Sequence, residues 1–134
     1  MAADKLYVVT GGRATLFRSH RPDYADGGQL RDFVYVADCA AVVLWILAQS
    51  RFSGLYNLGT GQARSFLDLA TAVFEAMGQT PDITYVDMPE AIRDRYQYFT
   101  EANMDRLRQA GYRAPFHSVE DGVADYVKWL MGQG

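Results

Sequence analysis

Arginine is the residue with the clearest capacity for binding chemistry in this chain of 134 residues, because lysine occurs only as Lys5 and Lys128. The planar guanidinium forms paired hydrogen bonds with phosphate and carboxylate oxygens. Tyr96 and Tyr98 lie beside two of the arginines, a mixture suited to a phosphorylated, sugar-like or nucleotide ligand. Surface salt bridges are an equally good interpretation from the residues alone. The arginines concerned are Arg13, Arg18, Arg21, Arg31, Arg64, Arg93 and Arg95.

Other chemical motifs lack their usual spacing. Gly11 and Gly12 follow an apolar segment as in a dinucleotide-binding turn, but the third glycine and the crossover helix are missing. The single Cys39 excludes an internal disulfide and a cysteine zinc site, and we interpret it as a small buried hydrophobe. His20 and His117 are too far apart for a helical metal pair. The residue types alone therefore predict no metal site.

Composition predicts one globular domain over residues 1–134, since hydrophobic residues make up 49% of the chain. Lys and Arg number 13 against 16 Asp and Glu, which gives a net charge of −3. Without a basic field, nucleic acid and a membrane surface are not expected as partners. No apolar run reaches the ~20 residues that cross a bilayer, and no signal-peptide pattern is present. We expect a cytoplasmic protein.

The elements that must position these side chains alternate between strands and helices, which predicts an α/β fold with a mixed sheet and packed helices. An almost wholly apolar helix over Cys39–Ala48, capped by Asp38, is expected to be buried on several sides. The predicted strands are Lys5–Thr10, Ala14–Phe17, Asp32–Val36, Gly54–Leu58 and Ile83–Val86.

Three further helices are predicted from capping and stop signals. Ser65 with Asp68 forms a capping-box variant, and Gly78 ends that helix. Thr100 is predicted to cap a short helix that stops at Gly111. Ser118 opens the last helix, whose expected buried side chains are Val119, Val123, Tyr126, Val127 and Leu130.

Four segments of the chain resemble the C-terminal half of ADP-L-glycero-D-manno-heptose 6-epimerases, within the extended short-chain dehydrogenase/reductase superfamily. They are LFRSHRPDYADGGQLRDFVYVADCAAVVLWIL, GLYNLGTGQARSFLDLATAVF, RYQYFTEANMDRLRQAGY and SVEDGVADYVKWL. The resemblance implies the fold of the substrate-binding part of such an enzyme over residues 13–134. Residues 1–12 resemble the first strand of the superfamily, so the nucleotide-binding and catalytic region between the two segments is expected to be absent.

In that family NADP carries the hydride, and a Tyr-x-x-x-Lys pair supplies the base chemistry. This sequence has no tyrosine followed by lysine four positions later. The resemblance therefore implies an isomerase family acting in lipopolysaccharide biosynthesis and carbohydrate metabolism, but it carries no catalytic or cofactor-binding residue onto this chain. No cofactor is expected for the chain alone.

The family's substrate contacts do have counterparts in this sequence, and by resemblance they predict a site for an ADP-sugar such as ADP-heptose. In the expected roles, the arginines neutralise the diphosphate, while Ser19 and His20 hydrogen-bond sugar hydroxyls. The predicted substrate-binding residues are Phe17, Arg18, Ser19, His20, Arg31 and Tyr96.

Two functions remain open at this stage. The first is a sugar-nucleotide-binding fragment of an NADP-dependent epimerase that is not catalytic alone. The second is a repurposed structural or oligomerisation module, motivated by the apolar helix Cys39–Ala48. An uncovered apolar surface favours self-association. A homodimer or higher oligomer is therefore expected, with the N-terminal strand filling a vacant sheet edge.

Overall fold

A computed structural model describes residues 12–50 and 52–132 of the chain. The predicted strand Lys5–Thr10, and with it the expected filling of a sheet edge, lies outside the described residues. Nine elements occur in the described ranges: β1 Ala14–Phe17, β2 Leu30–Arg31, α1 Val36–Leu47, β3 Arg64–Ser65, α2 Phe66–Ala76, β4 Ile83–Val86, α3 Glu90–Arg93, α4 Asp105–Gln109 and α5 Val119–Met131.

Strand pairing is parallel in one place and antiparallel in another, so the predicted α/β class with mixed pairing is confirmed. β1 runs parallel to β4, with Ala14 opposite Ile83 and Phe17 opposite Val86. β2 pairs antiparallel with β3, and a single parallel bridge joins Leu30 to Phe99. In the described ranges these strands form two small sheets rather than one continuous sheet.

The first core forms between β1 and α2. Alternate residues of a strand face the same side, so Ala14 and Leu16 point together against Ala70 and Phe74 of the helix. All four are buried. This packing fixes the C-terminal end of β1, where the predicted site begins.

The start and end of α2 confirm the predicted capping signals. The Ser65 hydroxyl accepts from the backbone N–H of Asp68 at 2.9 Å, and the Asp68 carboxylate accepts from the N–H of Ser65 at 3.0 Å. Gly78 follows the helix with a φ of 66°, a left-handed conformation that favours glycine. The capping box also sets the direction in which β3 leads into the helix.

A second core lies between α1 and α4. Val42 from α1 packs with Met104, Leu107 and Tyr112, all of which are buried. Trp45 and Phe52 close this core with an edge-on ring contact at 5.1 Å between centroids.

The predicted strands Asp32–Val36 and Gly54–Leu58 are wrong, because neither segment joins a strand ladder. The chain leaves the sheet after β2, and α1 already begins at Val36 with Tyr35 as its N-cap residue. Asp38 therefore lies in the first helical turn, where its buried carboxylate binds His117 instead of capping the helix.

Two helix predictions also need correction. Thr100 does not cap α4, which follows Met104 with no side-chain cap. Helix α1 is less enclosed than expected, and α5 turns two of its five expected core residues outward. The large apolar side chains left exposed on these helices include Val43, Leu44, Leu47, Tyr126 and Leu130.

Candidate functional site

The predicted substrate-binding residues lie around the C-terminal end of β1, on β2, and on the segment that follows α3. Phe17 is the last residue of β1, and its half-buried ring meets Tyr96 edge-on at 6.3 Å between centroids. The rings of Tyr96 and Tyr98 are also edge-on, at 5.5 Å. The ring of Tyr24 is tilted against that of Tyr98, at 4.8 Å between centroids. These four rings form one aromatic cluster.

Arg31 belongs to this cluster through its guanidinium. Its central carbon lies 5.2 Å from the ring centre of Tyr96 and 5.6 Å from that of Phe66. One terminal nitrogen donates to the carbonyl of Leu30 at 2.9 Å. A guanidinium held against two aromatic faces is presented in a fixed orientation.

Ser19 lies near the cluster, but its hydroxyl is turned toward its own loop. It donates to the carbonyl of Arg21 at 2.8 Å and accepts from the backbone N–H of Arg21 at 3.1 Å. The Ser19 hydroxyl thus forms a local turn, and its hydrogen bond to a sugar hydroxyl stays a prediction. The loop is braced further by Arg21, whose paired contact lowers the pKa of the Asp23 carboxyl.

Arg18 is exposed and faces two carboxylates instead of the aromatic rings. Its Nη1 lies 3.4 Å from Asp87, and its Nε lies 3.8 Å from Asp26. Both contacts are solvent-exposed ion pairs, which stabilise the fold little. The salt-bridge interpretation thus describes Arg18, and the guanidinium of Arg31 also lies against aromatic rings.

His20 is held by a buried residue that the site prediction left out. The backbone N–H of His20 donates to the Tyr98 hydroxyl at 2.9 Å, and the same hydroxyl lies 2.7 Å from His20 Nδ1. Tyr98 is only 4% exposed. The position of Tyr98 two residues after Tyr96 was visible in the sequence, but its contact with His20 depends on residues 78 positions apart.

Asp32 is a second residue that sequence reasoning missed, since it was assigned to a strand. Its carboxylate accepts from the backbone N–H groups of Thr60, Gly61 and Ala102, at 2.8, 2.9 and 3.0 Å. Burial raises the pKa of Asp32, but a hydrogen bond from the Thr60 hydroxyl, together with these backbone hydrogen bonds, outweighs burial and brings the pKa below its ordinary value. A Cβ on Gly59 would lie 2.5 Å from this carboxylate, so the turn requires glycine there.

A separate cleft of about 300 Å³ includes Phe33, Arg64, Phe116 and His117 in its lining. It shares no lining residue with the predicted site. His117 donates from its backbone N–H to Asp38 at 2.8 Å, and its Nδ1 lies 2.7 Å from the same carboxylate. The hydrogen bond to Asp38 raises the pKa of His117.

Arg64, at the rim of that cleft, is occupied by two carboxylates. It contacts Glu120 at 2.5 Å and Asp68 at 3.2 Å, and these contacts raise the pKa of its guanidinium. Within residues 12–50 and 52–132, no three His, Cys, Asp or Glu side chains come together as potential metal ligands. None of the helices in the same ranges combines the length and apolar character that crossing a membrane requires.

Comparison with known proteins agrees with this fold and with the sequence resemblance. The model of the NAD dependent epimerase/dehydratase family matches residues 8–59. A crystal structure of Thermus thermophilus UDP-glucose 4-epimerase in complex with NAD is 28% identical with a TM-score of 0.73, and the match covers 93% of this chain and 37% of that chain. The fold is therefore that of part of an extended short-chain dehydrogenase/reductase.

Within this class, the resemblance to ADP-L-glycero-D-manno-heptose-6-epimerases is confirmed. The enzyme of that name from Nitratidesulfovibrio vulgaris is 54% identical over 129 residues, covering 95% of this chain. The Helicobacter pylori enzyme is 27% identical with a TM-score of 0.69, covering 89% of this chain and 33% of that chain. This chain spans about 40% of the length of the Nitratidesulfovibrio relative.

Proposed function

We propose that the chain binds a sugar nucleotide of the ADP-heptose type at the aromatic cluster, with Arg31 as the main phosphate contact. The observation that carries this proposal is the position of Arg31 against Tyr96, whose ring meets Phe17. A guanidinium beside flat rings suits a ligand that joins a diphosphate to a base or sugar. The names of the ADP-heptose epimerase relatives indicate the ligand class.

The other predicted residues contribute unequally to the proposed site. His20 is exposed and presents its ring beside Tyr98, whereas the Ser19 hydroxyl is bound within its loop. Arg18 contributes positive charge near the rim while it contacts Asp26 and Asp87. We therefore assign direct ligand contacts to Phe17, His20, Arg31 and Tyr96 and a supporting role to Arg18 and Ser19.

We further propose that the chain alone neither holds NADP nor turns over an ADP-sugar. The Tyr-x-x-x-Lys pair is missing from the sequence. In the turn around Gly59–Gly61, the backbone N–H groups that would face a pyrophosphate already bind Asp32. A carboxylate at that point repels phosphate, so this turn does not fit a pyrophosphate.

Calorimetric titration with ADP-glucose and ADP-mannose tests the proposed site. We expect weak binding by the wild type and at least about tenfold weaker binding by Arg31→Ala, because a charged hydrogen bond to phosphate contributes ~1.5–3 kcal/mol. Arg13→Ala is the matched control, since Arg13 is exposed and binds Asp82 at 3.0 Å. Absence of heat with the wild type at millimolar ligand contradicts the proposed site. Turnover of ADP-heptose with NADP contradicts only the proposal that the chain is not catalytic alone.

A second candidate function, oligomerisation through α1, is favoured by the surface of that helix. Val36, Val43, Leu44 and Leu47 are between 50% and 76% exposed. The segment Cys39–Ala48 has no charged residue that would keep this surface in water. A contiguous apolar surface of this kind is typical of an interface.

Light scattering over micromolar concentrations tests this second candidate. We expect a dimer or higher oligomer for the wild type and a shift toward monomer for Leu47→Glu, because a buried charge opposes association. Leu55→Glu is the control, since Leu55 is 82% exposed and lies outside α1. A monodisperse wild-type monomer contradicts the oligomerisation module without affecting ligand binding.

A further inference from the structure

The Tyr98 hydroxyl is placed to decide which nitrogen of His20 carries the proton. The Tyr98 ring is enclosed by Tyr24, Tyr96 and His20, with centroid distances of 4.8, 5.5 and 5.0 Å. The guanidinium of Arg21 lies 5.1 Å from its centre. This packing leaves the hydroxyl with a fixed position beside the imidazole.

Three groups surround that hydroxyl, and the donors and acceptors among them can be assigned. The backbone N–H of His20 donates to the hydroxyl oxygen at 2.9 Å. The proton of the Ser19 hydroxyl goes to the carbonyl of Arg21 at 2.8 Å, and the same oxygen accepts from the N–H of Arg21.

The phenol proton has one acceptor at hydrogen-bond distance among the described residues. In its 3.4 Å contact with the Tyr98 oxygen, Ser19 Oγ is the donor, whereas His20 Nδ1 lies at 2.7 Å from that oxygen. A distance of 2.7 Å is that of a strong hydrogen bond from a hydroxyl. The Tyr98 proton therefore points to Nδ1.

We infer that Tyr98 is a positioning residue that locks His20 with Nδ1 as acceptor and Nε2–H as the outward donor. A neutral imidazole carries one proton, so a hydrogen bond received at Nδ1 places that proton on Nε2. In the part of the chain that the structure describes, no side chain or backbone group binds Nε2 of the exposed ring.

The fixed Nε2–H donor requires a hydrogen-bond acceptor on the ligand. This part of the inference rests on the proposed function. The atom that meets Nε2 must be an acceptor oxygen, from a sugar hydroxyl or from a phosphate. A site that presents a fixed donor disfavours an analogue without the acceptor, because the donor is then left unpaired. The tautomer itself does not depend on which ligand binds.

Long-range proton–nitrogen correlation spectra of the full chain labelled at histidine nitrogens test the tautomer directly. The spectra are recorded at about pH 8.5, two units above the ordinary imidazole pKa of ~6.5, because an ordinary imidazole is almost entirely neutral there. We expect His20 to carry its proton on Nε2 in the wild type and to populate both tautomers in Tyr98→Phe. A wild-type proton on Nδ1, or an unchanged tautomer in Tyr98→Phe, overturns the inference.

Titration with ADP-glucose tests the consequence for the ligand. We expect Tyr98→Phe and His20→Gln each to weaken binding severalfold, because Tyr98 acts through His20 and His20 itself contacts the ligand. In the His20→Gln background, Tyr98→Phe should cause no further loss. An equal loss in both backgrounds overturns the inference, since Tyr98 then acts independently of His20.

The two proposals fail in distinguishable ways. If the wild type binds no ADP-glucose, the proposed function is wrong, and the nitrogen spectra still decide the tautomer. Signals of His117 report whether Tyr98→Phe keeps the fold, because that ring binds Asp38 away from the substitution. If Tyr98→Phe unfolds the chain, the wild-type spectrum alone confirms or overturns the inference.

Discussion

The two histidines are held in the same way by chemically different partners. His20 directs its backbone N–H and its Nδ1 at the hydroxyl of Tyr98, and His117 directs the same two groups at the carboxylate of Asp38. Both partners are buried, at 4% and 5% exposure. The two arrangements therefore differ in the partner's chemistry far more than in the way each histidine is held.

A phenol can donate a proton, whereas a carboxylate can only accept one. Nδ1 of His20 is accordingly an acceptor, and Nδ1 of His117 is a donor. The hydrogen bond to Asp38 raises the pKa of His117, and the charges of Asp121 and Asp125 add to it, against a smaller opposing effect of burial. The comparison teaches that the buried partner determines the proton position of an exposed ring.

The largest effect is expected from removing the charged partner. Asp38→Ala deletes the acceptor of both His117 groups and separates the first turn of α1 from the start of α5. We expect the free energy of unfolding to fall by about 2–4 kcal/mol, since hydrogen bonds to charged groups are the stronger ones. Urea unfolding measures this loss. The control is Glu75→Ala, which removes an exposed acid on α2 and should change the free energy of unfolding by less than ~0.5 kcal/mol. Equal losses would contradict the assignment.

Removing the neutral partner's hydroxyl should cost less. Tyr98→Phe keeps the ring contacts and leaves the N–H and Nδ1 of His20 without that oxygen. We expect a loss of about 1–2 kcal/mol in urea unfolding, because His20 is exposed and water replaces part of the interaction. Tyr126→Phe, on a half-exposed ring of α5, is the control and should be nearly neutral. A loss larger than that of Asp38→Ala would reverse the comparison.

The pH dependence should separate the two histidines. The pKa of His117 is raised in the folded chain. Its stabilising effect is therefore complete below the unfolded pKa of ~6.5 and is lost as pH rises through the folded pKa.

The matched variant is His117→Asn, whose amide can still donate to Asp38 but does not titrate. We expect the melting temperature of the wild type, relative to this variant, to fall between pH 5.5 and pH 8.5. Because the His117 side chain is 47% exposed, the corresponding change in the free energy of unfolding should stay below about 1 kcal/mol. A difference that is constant with pH would show that Asp38 does not bind the charged ring.

The smallest effect is expected from His20→Gln. The ring is exposed, and its contact with Tyr98 is a neutral hydrogen bond. We expect the free energy of unfolding to change by less than ~0.5 kcal/mol, measured by thermal and urea unfolding. A loss of 2 kcal/mol or more would mean that His20 supports the fold instead of facing a ligand.

Local signals made part of the fold predictable from the sequence. The capping box and stop glycine of α2 and the start of α5 at Ser118 depend on neighbours a few residues away. Strands β1 and β4 were predicted from their local runs of apolar and β-branched residues, although their pairing is long-range. The prediction for segment 32–36 is wrong because its run of aromatic and β-branched residues is also typical of a strand. Asp32 instead uses its carboxylate to bind segments 28 and 70 positions away.

The candidate site was predicted only in part for the same reason, because contacts between distant segments are not visible in the local sequence. The resemblance named Phe17, Arg31 and Tyr96, which the fold does bring together. It did not include Tyr98, since its role depends on a hydroxyl that meets a loop 78 positions earlier. Nor did the sequence indicate that the Ser19 hydroxyl donates to the carbonyl of Arg21 in its own turn.

The long-range ties of the site also constrain the order in which the chain can fold. β1 pairs with β4 at a separation of 69 residues, Asp32 binds Ala102, and Asp38 binds His117. Closing such loops costs entropy before the contacts compensate for it, so chains rich in them fold slowly. During synthesis, Arg31 can therefore contact the ring of Tyr96 only after a further 65 residues have been added to the chain.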